Sequence, residues 1–223
     1  MMTNLFSIFE PSVSFTGYPM GWLSVLLGPI FLARYYWAST GRYLSMSTSL
    51  LGSLMGEMKV LFKTNLSSLV LLPLSLWVLV SVSNMAGLMP HVFTCTSHLS
   101  FTLSLALPVW GGLMMYAIFY HLYNVLAHLV PQGTPPALMM FMVVIETISS
   151  VIRPITLAVR LSANMIAGHL LLALLGGVVD SASVTSLSGA VPALLLLLIL
   201  ESAVALIQAY VFATLISLNL SEV

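Results

Sequence analysis

The chain has 223 residues, of which 60% are hydrophobic and only 5% are Asp, Glu, Lys or Arg, and its formal net charge is zero. Soluble domains carry about 25% charged residues, so this composition excludes a soluble globular enzyme, and the absence of basic tracts excludes a nucleic-acid binder. The single cysteine, Cys95, excludes a disulfide scaffold and a cysteine-built metal cluster. The apolar runs are continuous rather than alternating, which favours helices over barrel strands. We therefore predict an all-α membrane protein with one membrane domain over residues 1–223.

The N-terminal part predicts one membrane span followed by a helix that lies along the membrane surface. The apolar segment 22–37 ends in two tyrosines and a tryptophan, which are typical of a membrane interface. In segment 43–63, leucines and methionines recur at helical spacing on one side, and serines, glycines and two lysines occupy the other. This pattern is typical of an amphipathic helix in the interface. The N-terminus has no basic presequence, so we expect no removable targeting signal.

Two further spans are predicted in the middle of the chain, at residues 66–89 and 101–128. Between them lies a polar turn over His91–Ser100, and after them the proline-rich segment 131–136 is a firm break.

The C-terminal half predicts a hairpin of two long membrane helices, over residues 137–179 and 190–220, joined by a polar turn at Asp180–Gly189. At 1.5 Å per residue these helices would be about 64 Å and about 46 Å long. The hydrocarbon core of a bilayer is about 30 Å thick. Both helices must therefore tilt steeply, or the first must kink at its internal proline, Pro154.

The basic residues predict the orientation of the chain in its membrane. Four of them lie between the first and second predicted spans: Arg34, Arg42, Lys59 and Lys63. Because loops rich in Lys and Arg stay on the inside, five crossings place the N-terminus and the hairpin turn outside and the C-terminus inside.

Charged residues inside the two long helices are the main functional signal. Glu146, Arg153 and Arg160 are spaced seven apart and form one slow stripe along a helix face. On the last helix Glu201 and Gln208 are also seven apart. Charges at membrane depth cost at least about 2.5 kcal/mol each and usually mark an ion or substrate path. The alternative is a structural ion pair that locks two helices together.

A small-residue row lies beside these polar residues on the last helix, at Ala205, Ala209, Ala213 and Ser217. Such rows allow a second helix to approach closely, so we expect the two long helices to pack antiparallel.

Residues that face each other in an antiparallel pair have position numbers with a nearly constant sum. One register places Gln208 level with Arg160 (sum 368) and Glu201 level with His169 (sum 370). A His and a Glu at one level can bind and release protons near neutral pH, whereas Arg cannot be deprotonated. Such a path would be divided in two at the arginine. Because His169 lies nine residues from Arg160, it faces Glu201 only if the last helix packs on the side away from that arginine or if the inlet wraps round the helix.

Two neighbours of the stripe have open roles. Asn164, one turn from Arg160, either orients the guanidinium group or packs. Arg153 precedes Pro154, and we expect it to bond nearby backbone or a lipid headgroup.

The sequence LAVRLSANMIAGHLL at 157–171 resembles the a subunit of F-type ATP synthases in its mitochondrial version. Four other stretches resemble the same family in the same order: NMAGLMP at 84–90, AHLVPQGTP at 127–135, IETIS at 145–149 and LESAV at 200–204. Together they extend over most of the chain.

The resemblance implies a stator subunit that forms two offset proton half-channels against a rotating c-ring. Arg160 would separate the half-channels and interact with the ring carboxylates. His169, Glu201 and Gln208 would border the intermembrane-space half-channel, and Glu146 the matrix half-channel. With Asn164, these six residues are the predicted proton-translocation set.

The resemblance also implies the setting of the chain. Its partners would be the c-ring, peripheral-stalk and small accessory membrane subunits, and the lipid bilayer. It would lie in the mitochondrial inner membrane, with the N-terminus toward the intermembrane space and the C-terminus toward the matrix. We expect no cofactor, no metal and no ATP chemistry on the chain, which has no P-loop.

Three other functions are weighed against this one. An autonomous secondary transporter would usually show inverted repeats, which are not evident in the sequence. A structural subunit of a respiratory complex would not need an arginine between titratable groups. Haem ligation by His121 and His128, or by His91 and His98, is disfavoured because the first pair shares one predicted helix and the second lies in a predicted loop.

Overall fold

A computed structural model describes residues 9–12, 19–25, 41–61, 67–89, 92–120, 122–130, 136–181 and 184–222. Within these ranges the chain forms α-helices and short 3-10 turns and no β-strand. The helices are α1 (Arg42–Leu61), α2 (Ser67–Gly87), α3 (Leu99–Tyr120), α4 (Leu122–His128), α5 (Pro136–Ser181) and α6 (Val184–Glu222), with 3-10 turns at Met20–Leu23 and Cys95–Ser97.

Four of these helices are long and apolar enough to cross a membrane, judged by length and composition: Val70–Gly87 in α2, Leu99–Tyr120 in α3, Leu138–Val179 in α5 and Ser188–Leu220 in α6. The predicted class, an all-α membrane protein, is confirmed. Most of the first predicted span, 22–37, lies outside the described residues. The predicted interfacial segment 43–63 corresponds to α1.

The third predicted span, 101–128, falls on two helices of the described residues, α3 and α4. Helix α3 runs to Tyr120 and α4 covers Leu122–His128, while residue 121 lies outside the described residues. The 22 residues of α3 are about 33 Å long, already enough to cross a hydrocarbon core of about 30 Å.

The predicted polar turn at Asp180–Gly189 is wrong in extent. Helix α5 continues to Ser181 and α6 begins at Val184, so most of this segment is helical. Ser and Gly lower helix stability by at most about 1 kcal/mol each. An unpaired backbone group close to a bilayer costs several kcal/mol, so the helical hydrogen bonds prevail over the local propensity.

The core of the bundle is built around α6, which contacts both α2 and α5, while α3 packs on α5. The small-residue row of α6 is the centre of this packing, because Ala205, Ala209, Ala213 and Ser217 are all at most 3% exposed. Larger side chains from other helices close around it, among them Val80 of α2 and Leu161 of α5. The small residues let three helices approach closely, and this fixes α5 against α6.

Part of the loop between α2 and α3, from Thr94 to Ser97, is also buried. The side chain of Trp22 lies against the rings of Phe93 and His98, and His98 Nε2 donates a hydrogen bond to the Phe9 carbonyl at 3.0 Å. Beneath them the 3-10 turn Cys95–Ser97 packs on α5. Burial raises the pKa of the Cys95 thiol above its ordinary value of 9.0.

Candidate functional site

Polar pairs between described side chains join α5 to α6 along the hairpin. Arg153 Nη1 donates to Asn219 Oδ1 at 3.2 Å, and Asn164 Nδ2 donates to Gln208 Oε1 at 3.2 Å. Farther along, His169 Nε2 lies 3.8 Å from Glu201 Oε1. The position numbers of these pairs sum to 372, 372 and 370 respectively. The helices are thus antiparallel in a nearly constant register.

The predicted register is right for one pair and shifted for the other. His169 and Glu201 meet at one level as predicted. Gln208 bonds Asn164 rather than lying level with Arg160. Asn164 therefore orients the Gln208 amide, a role that the sequence left open.

The buried pair of Glu201 and His169 is the first of two polar clusters. The side chain of Glu201 is 5% exposed and that of His169 is 14% exposed. Gly168 makes room for the carboxyl group, because a Cβ atom at this position would lie 2.6 Å from Glu201 Cδ and 3.0 Å from its Cγ. Because Gly168 has no side chain, the Glu201 carboxyl group fits between α5 and α6.

Several polar atoms of this first cluster have no hydrogen-bond partner in the described part of the chain: His169 Nε2, both Glu201 oxygens, Gln208 Nε2 and Asn84 Oδ1. Buried polar groups are normally paired. A cavity of about 10 Å³ lies among Asn84, Asn164, Glu201 and Gln208, about the size that one water molecule needs. One water molecule at this position would satisfy some of the unpaired atoms of Asn84, Glu201 and Gln208.

Asn84 is a member of this cluster that sequence reasoning did not single out. It is 1% exposed, and its Nδ2 donates to the Ala205 carbonyl at 3.3 Å, so α2 meets α6 here. Its polar side chain near the end of an apolar span was the available signal, but an asparagine at a span end usually indicates only the approach of a loop.

The second cluster lies toward the N-terminal end of α5. Arg153 Nη2 lies 3.7 Å from Glu146 Oε1, and the two side chains are 41% and 35% exposed. With Asn219 and Ser150, they line a cleft of about 100 Å³ closed on the other side by apolar residues that include Trp110. This volume has room for several water molecules.

Arg153 therefore has partners that the sequence did not predict. It contacts the Glu146 carboxylate and the Asn219 amide. Little in the sequence indicated that Asn219 contacts Arg153, because an isolated asparagine close to other polar residues at a helix end is common.

Arg160 lies between the two clusters along α5, and its side chain is exposed. Leu157, Ala158 and Leu161 are buried, whereas Val159 and Arg160 are exposed. Within the described residues Arg160 forms no hydrogen bond or ion pair. At 1.5 Å per residue it stands about 10 Å from the Arg153 position and about 13 Å from the His169 position along the axis. Its guanidinium group is therefore available to a group outside the described residues.

The side of α5 on which α6 packs is the side that the predicted contact between His169 and Glu201 requires. Helix α6 packs on the side of α5 that carries Leu161 and Met165, not on the side of Arg160. His169 can therefore reach Glu201 while Arg160 faces away.

The described residues contain no group of three or more His, Cys, Asp or Glu side chains that could hold a metal ion. Of the histidines considered for haem, His91 and His121 lie outside the described residues.

Comparisons with known proteins agree with this architecture. A family described as "ATP synthase A chain" matches residues 19–221. Among the similar proteins, ATP synthase subunit a of Drosophila melanogaster is 51% identical over the full length of both chains. The proteins of the same name from Aedes aegypti and Anopheles gambiae are each 50% identical, also over the full length of both chains. The chain therefore belongs to the ATP synthase A chain family and is a membrane-sector subunit of an F-type ATP synthase.

Proposed function

We propose that this chain is the stator half of a proton path that is completed by a rotating ring of c subunits. The observation that carries the proposal is the arrangement along α5: two separate polar clusters with, between them, an exposed arginine that has no partner among the described residues. A path through a single continuous channel would not require an arginine at its midpoint. Two half-channels offset from each other do require a permanent charge between them.

The first cluster serves as the outer half-channel. Protons enter past His169 and Glu201, both of which can exchange protons, and move through the small polar cavity at Gln208 and Asn164. From there they neutralise a carboxylate on the ring. The buried polar atoms of this cluster that have no partner among the described residues support a water-mediated proton relay.

The second cluster serves as the inner half-channel. After nearly a full turn of the ring, the carboxylate releases its proton into the cleft beside Glu146. The volume of this cleft and its polar lining support a water-filled exit.

Arg160 keeps the two half-channels apart. Its guanidinium group stays charged at any useful pH, so a proton cannot hop through it. It attracts the ring carboxylate in its ionised form as that carboxylate returns from the inner side. Each proton that crosses 100 mV supplies about 2.3 kcal/mol, which is lost if protons leak directly between the clusters.

The membrane setting follows from the same proposal. The chain lies in the mitochondrial inner membrane with the outer cluster toward the intermembrane space and the C-terminus toward the matrix. It works beside the c-ring, the peripheral stalk and small accessory subunits, and ATP forms on other subunits of the complex.

The experiment is Arg160→Ala in the assembled complex, reconstituted in liposomes. ATP synthesis driven by a proton gradient should fall to background while the amount of assembled complex is unchanged. The matched control is Arg42→Ala, which removes an exposed positive charge at the start of α1, outside the long helices, and should leave synthesis near its normal rate. Near-normal synthesis by Arg160→Ala would overturn the proposal. An autonomous transporter would instead conduct protons after purification away from the ring.

A further inference from the structure

The turn between α2 and α3 carries a buried hydroxyl group that has no role in the proposed path. Residues 94–97 are each at most 4% exposed. Thr94 Oγ1 donates to Ser97 Oγ at 3.2 Å, and Ser97 Oγ donates to the Thr94 carbonyl at 2.7 Å. Thr96 is 0% exposed, and its Oγ1 has no hydrogen-bond partner among the described residues. A buried hydroxyl group of this kind usually bonds an internal water molecule.

Helix α2 runs in the same direction as α5. Asn84 Nδ2 donates to the Ala205 carbonyl of α6, and nearer the start of α2 Val70 belongs to the same core cluster as Ala213 of α6. As the position numbers rise along α2 they fall along α6, so these two helices are antiparallel. Because α5 is also antiparallel to α6, the far ends of α2 and α5 lie on the same side of the bundle.

The turn that follows α2 begins at the level of the buried pair of Glu201 and His169. From the contact between Asn84 and Ala205, Gly87 lies three residues along α2, about 4.5 Å. Glu201 lies four residues from the same contact in the same direction along α6, about 6 Å. Thr94 packs directly on Gly87, since a Cβ atom at Gly87 would lie 2.9 Å from Thr94 Cγ2.

The turn also contacts α5, on the face that carries His169. Leu161 and Met165 line the small cavity together with Asn84, so this face of α5 is turned toward α2. His169 is four residues past Met165 and therefore lies on the same face. The turn Cys95–Ser97 packs on both helices. At this level His169 Nε2, like the Thr96 hydroxyl, is buried without a hydrogen-bond partner in the described part of the chain.

We infer that Thr96 is a positioning residue of the outer half-channel, whose hydroxyl group holds a water molecule that passes protons to the pair of His169 and Glu201. The inference rests on the proposed function of that pair. The water molecule accepts one proton from the outer side and donates another to the pair, so it is unchanged after each transfer and Thr96 is never ionised. Because a hydroxyl group can both donate and accept, it holds the water in either orientation.

The first test compares two substitutions by ATP synthesis in liposomes, measured per assembled complex. Thr96→Val keeps the shape of the side chain and removes the hydroxyl group, whereas Thr96→Ser keeps the hydroxyl group and removes a methyl group. We expect Thr96→Val to lower the rate about tenfold, the scale of one hydrogen bond, and Thr96→Ser to remain within about twofold of the normal rate. A residue that only packs would give the reverse order, because a removed methyl group leaves a void.

The matched control is Thr102→Val in α3. Thr102 is 1% exposed, and its hydroxyl group donates to the Leu99 carbonyl of the same helix. The substitution removes a buried hydroxyl group away from the outer cluster, so synthesis should stay near its normal rate.

The second test does not depend on the rate of synthesis, and it decides the matter if Thr96→Val does not assemble. In a Cys95→Ala background, Thr96→Cys should react with a small membrane-impermeant thiol reagent added on the outer side, although this position is buried, because water reaches it.

The inference alone would be overturned by normal synthesis in Thr96→Val, or by slower synthesis in Thr96→Ser than in Thr96→Val. It would also be overturned if Thr96→Cys stays unlabelled while His169→Cys in the same background reacts from the outer side. If neither thiol reacts from that side, the outer half-channel of the proposed function fails as well.

Discussion

Gly168 provides a sharp test of the outer cluster, because its missing side chain leaves the space that Glu201 occupies. A Cβ atom added at this position would lie 2.6 Å from Glu201 Cδ, whereas ordinary contacts begin at 3.4 Å. Gly168→Ala therefore requires the carboxyl carbon to retreat by about 0.8 Å. Glu201 is 5% exposed, and the cavity of about 10 Å³ that it lines is about the size of one water molecule.

The expected loss follows from this displacement. A shift of about 1 Å in a reacting group can reduce a rate by about 100-fold, and overpacking in a core costs about 1–3 kcal/mol. Alanine is otherwise favoured over glycine in a helix by about 1 kcal/mol, so the helix itself should tolerate the change. We expect proton-driven ATP synthesis to fall between about 10-fold and about 100-fold.

The assay is ATP synthesis by the reconstituted complex, normalised to the amount of assembled enzyme. The matched control is Gly176→Ala on the same helix, where an added Cβ atom meets nothing within 4 Å, and it should behave as the unsubstituted chain does. The variant Gly168→Ala with Glu201→Asp, whose side chain is shorter by one methylene, should recover part of the rate. More than half of the normal rate in Gly168→Ala alone would refute the steric reasoning.

Three further outcomes are expected. Ala209→Leu should destabilise the complex by about 2 kcal/mol in thermal unfolding, because Ala209 is 0% exposed between packed helices. The control Leu206→Ala, at a position 45% exposed, should cost less than about 0.5 kcal/mol. Asn84→Leu should slow proton flux about tenfold at unchanged yield, since about 1.4 kcal/mol is the scale of one hydrogen bond in such a network. The free energy of unfolding should fall as the pH rises above about 9, because the unfolded chain then releases the Cys95 proton while burial keeps it bound in the folded chain. This loss should be absent in Cys95→Ala. An identical pH dependence in both chains would contradict the raised pKa of the Cys95 thiol.

Much of the helical scaffold could be predicted from the sequence because long apolar runs leave few alternatives. The hairpin register was predictable to within one turn. His169 and Glu201 are among the few polar residues of these helices, and buried polar side chains are expected to pair with each other. The shift at Gln208 was not predictable, because Asn164 and Arg160 are only one turn apart and either could face the amide. Which of the two does so depends on the face that α6 covers.

The residues that were missed lie where a third helix or a distant end enters the site. Asn84 belongs to α2, and nothing in its own segment indicates that it contacts the Ala205 carbonyl. Asn219 is 66 residues from Arg153, and only the packed hairpin brings them together. The helical continuation of α5 to Ser181 and the start of α6 at Val184 were also missed, because Ser and Gly were interpreted as a loop and their small cost in a helix was ignored.

The central claim, that the two clusters open to opposite sides of the membrane, is tested most directly by side-specific labelling. In a Cys95→Ala background, His169→Cys and Ser150→Cys each place one thiol in one cluster, and a small membrane-impermeant thiol reagent is added to one side at a time. We expect His169→Cys to react only from the intermembrane-space side and Ser150→Cys only from the matrix side. Reaction of both variants from the same side would contradict two offset half-channels.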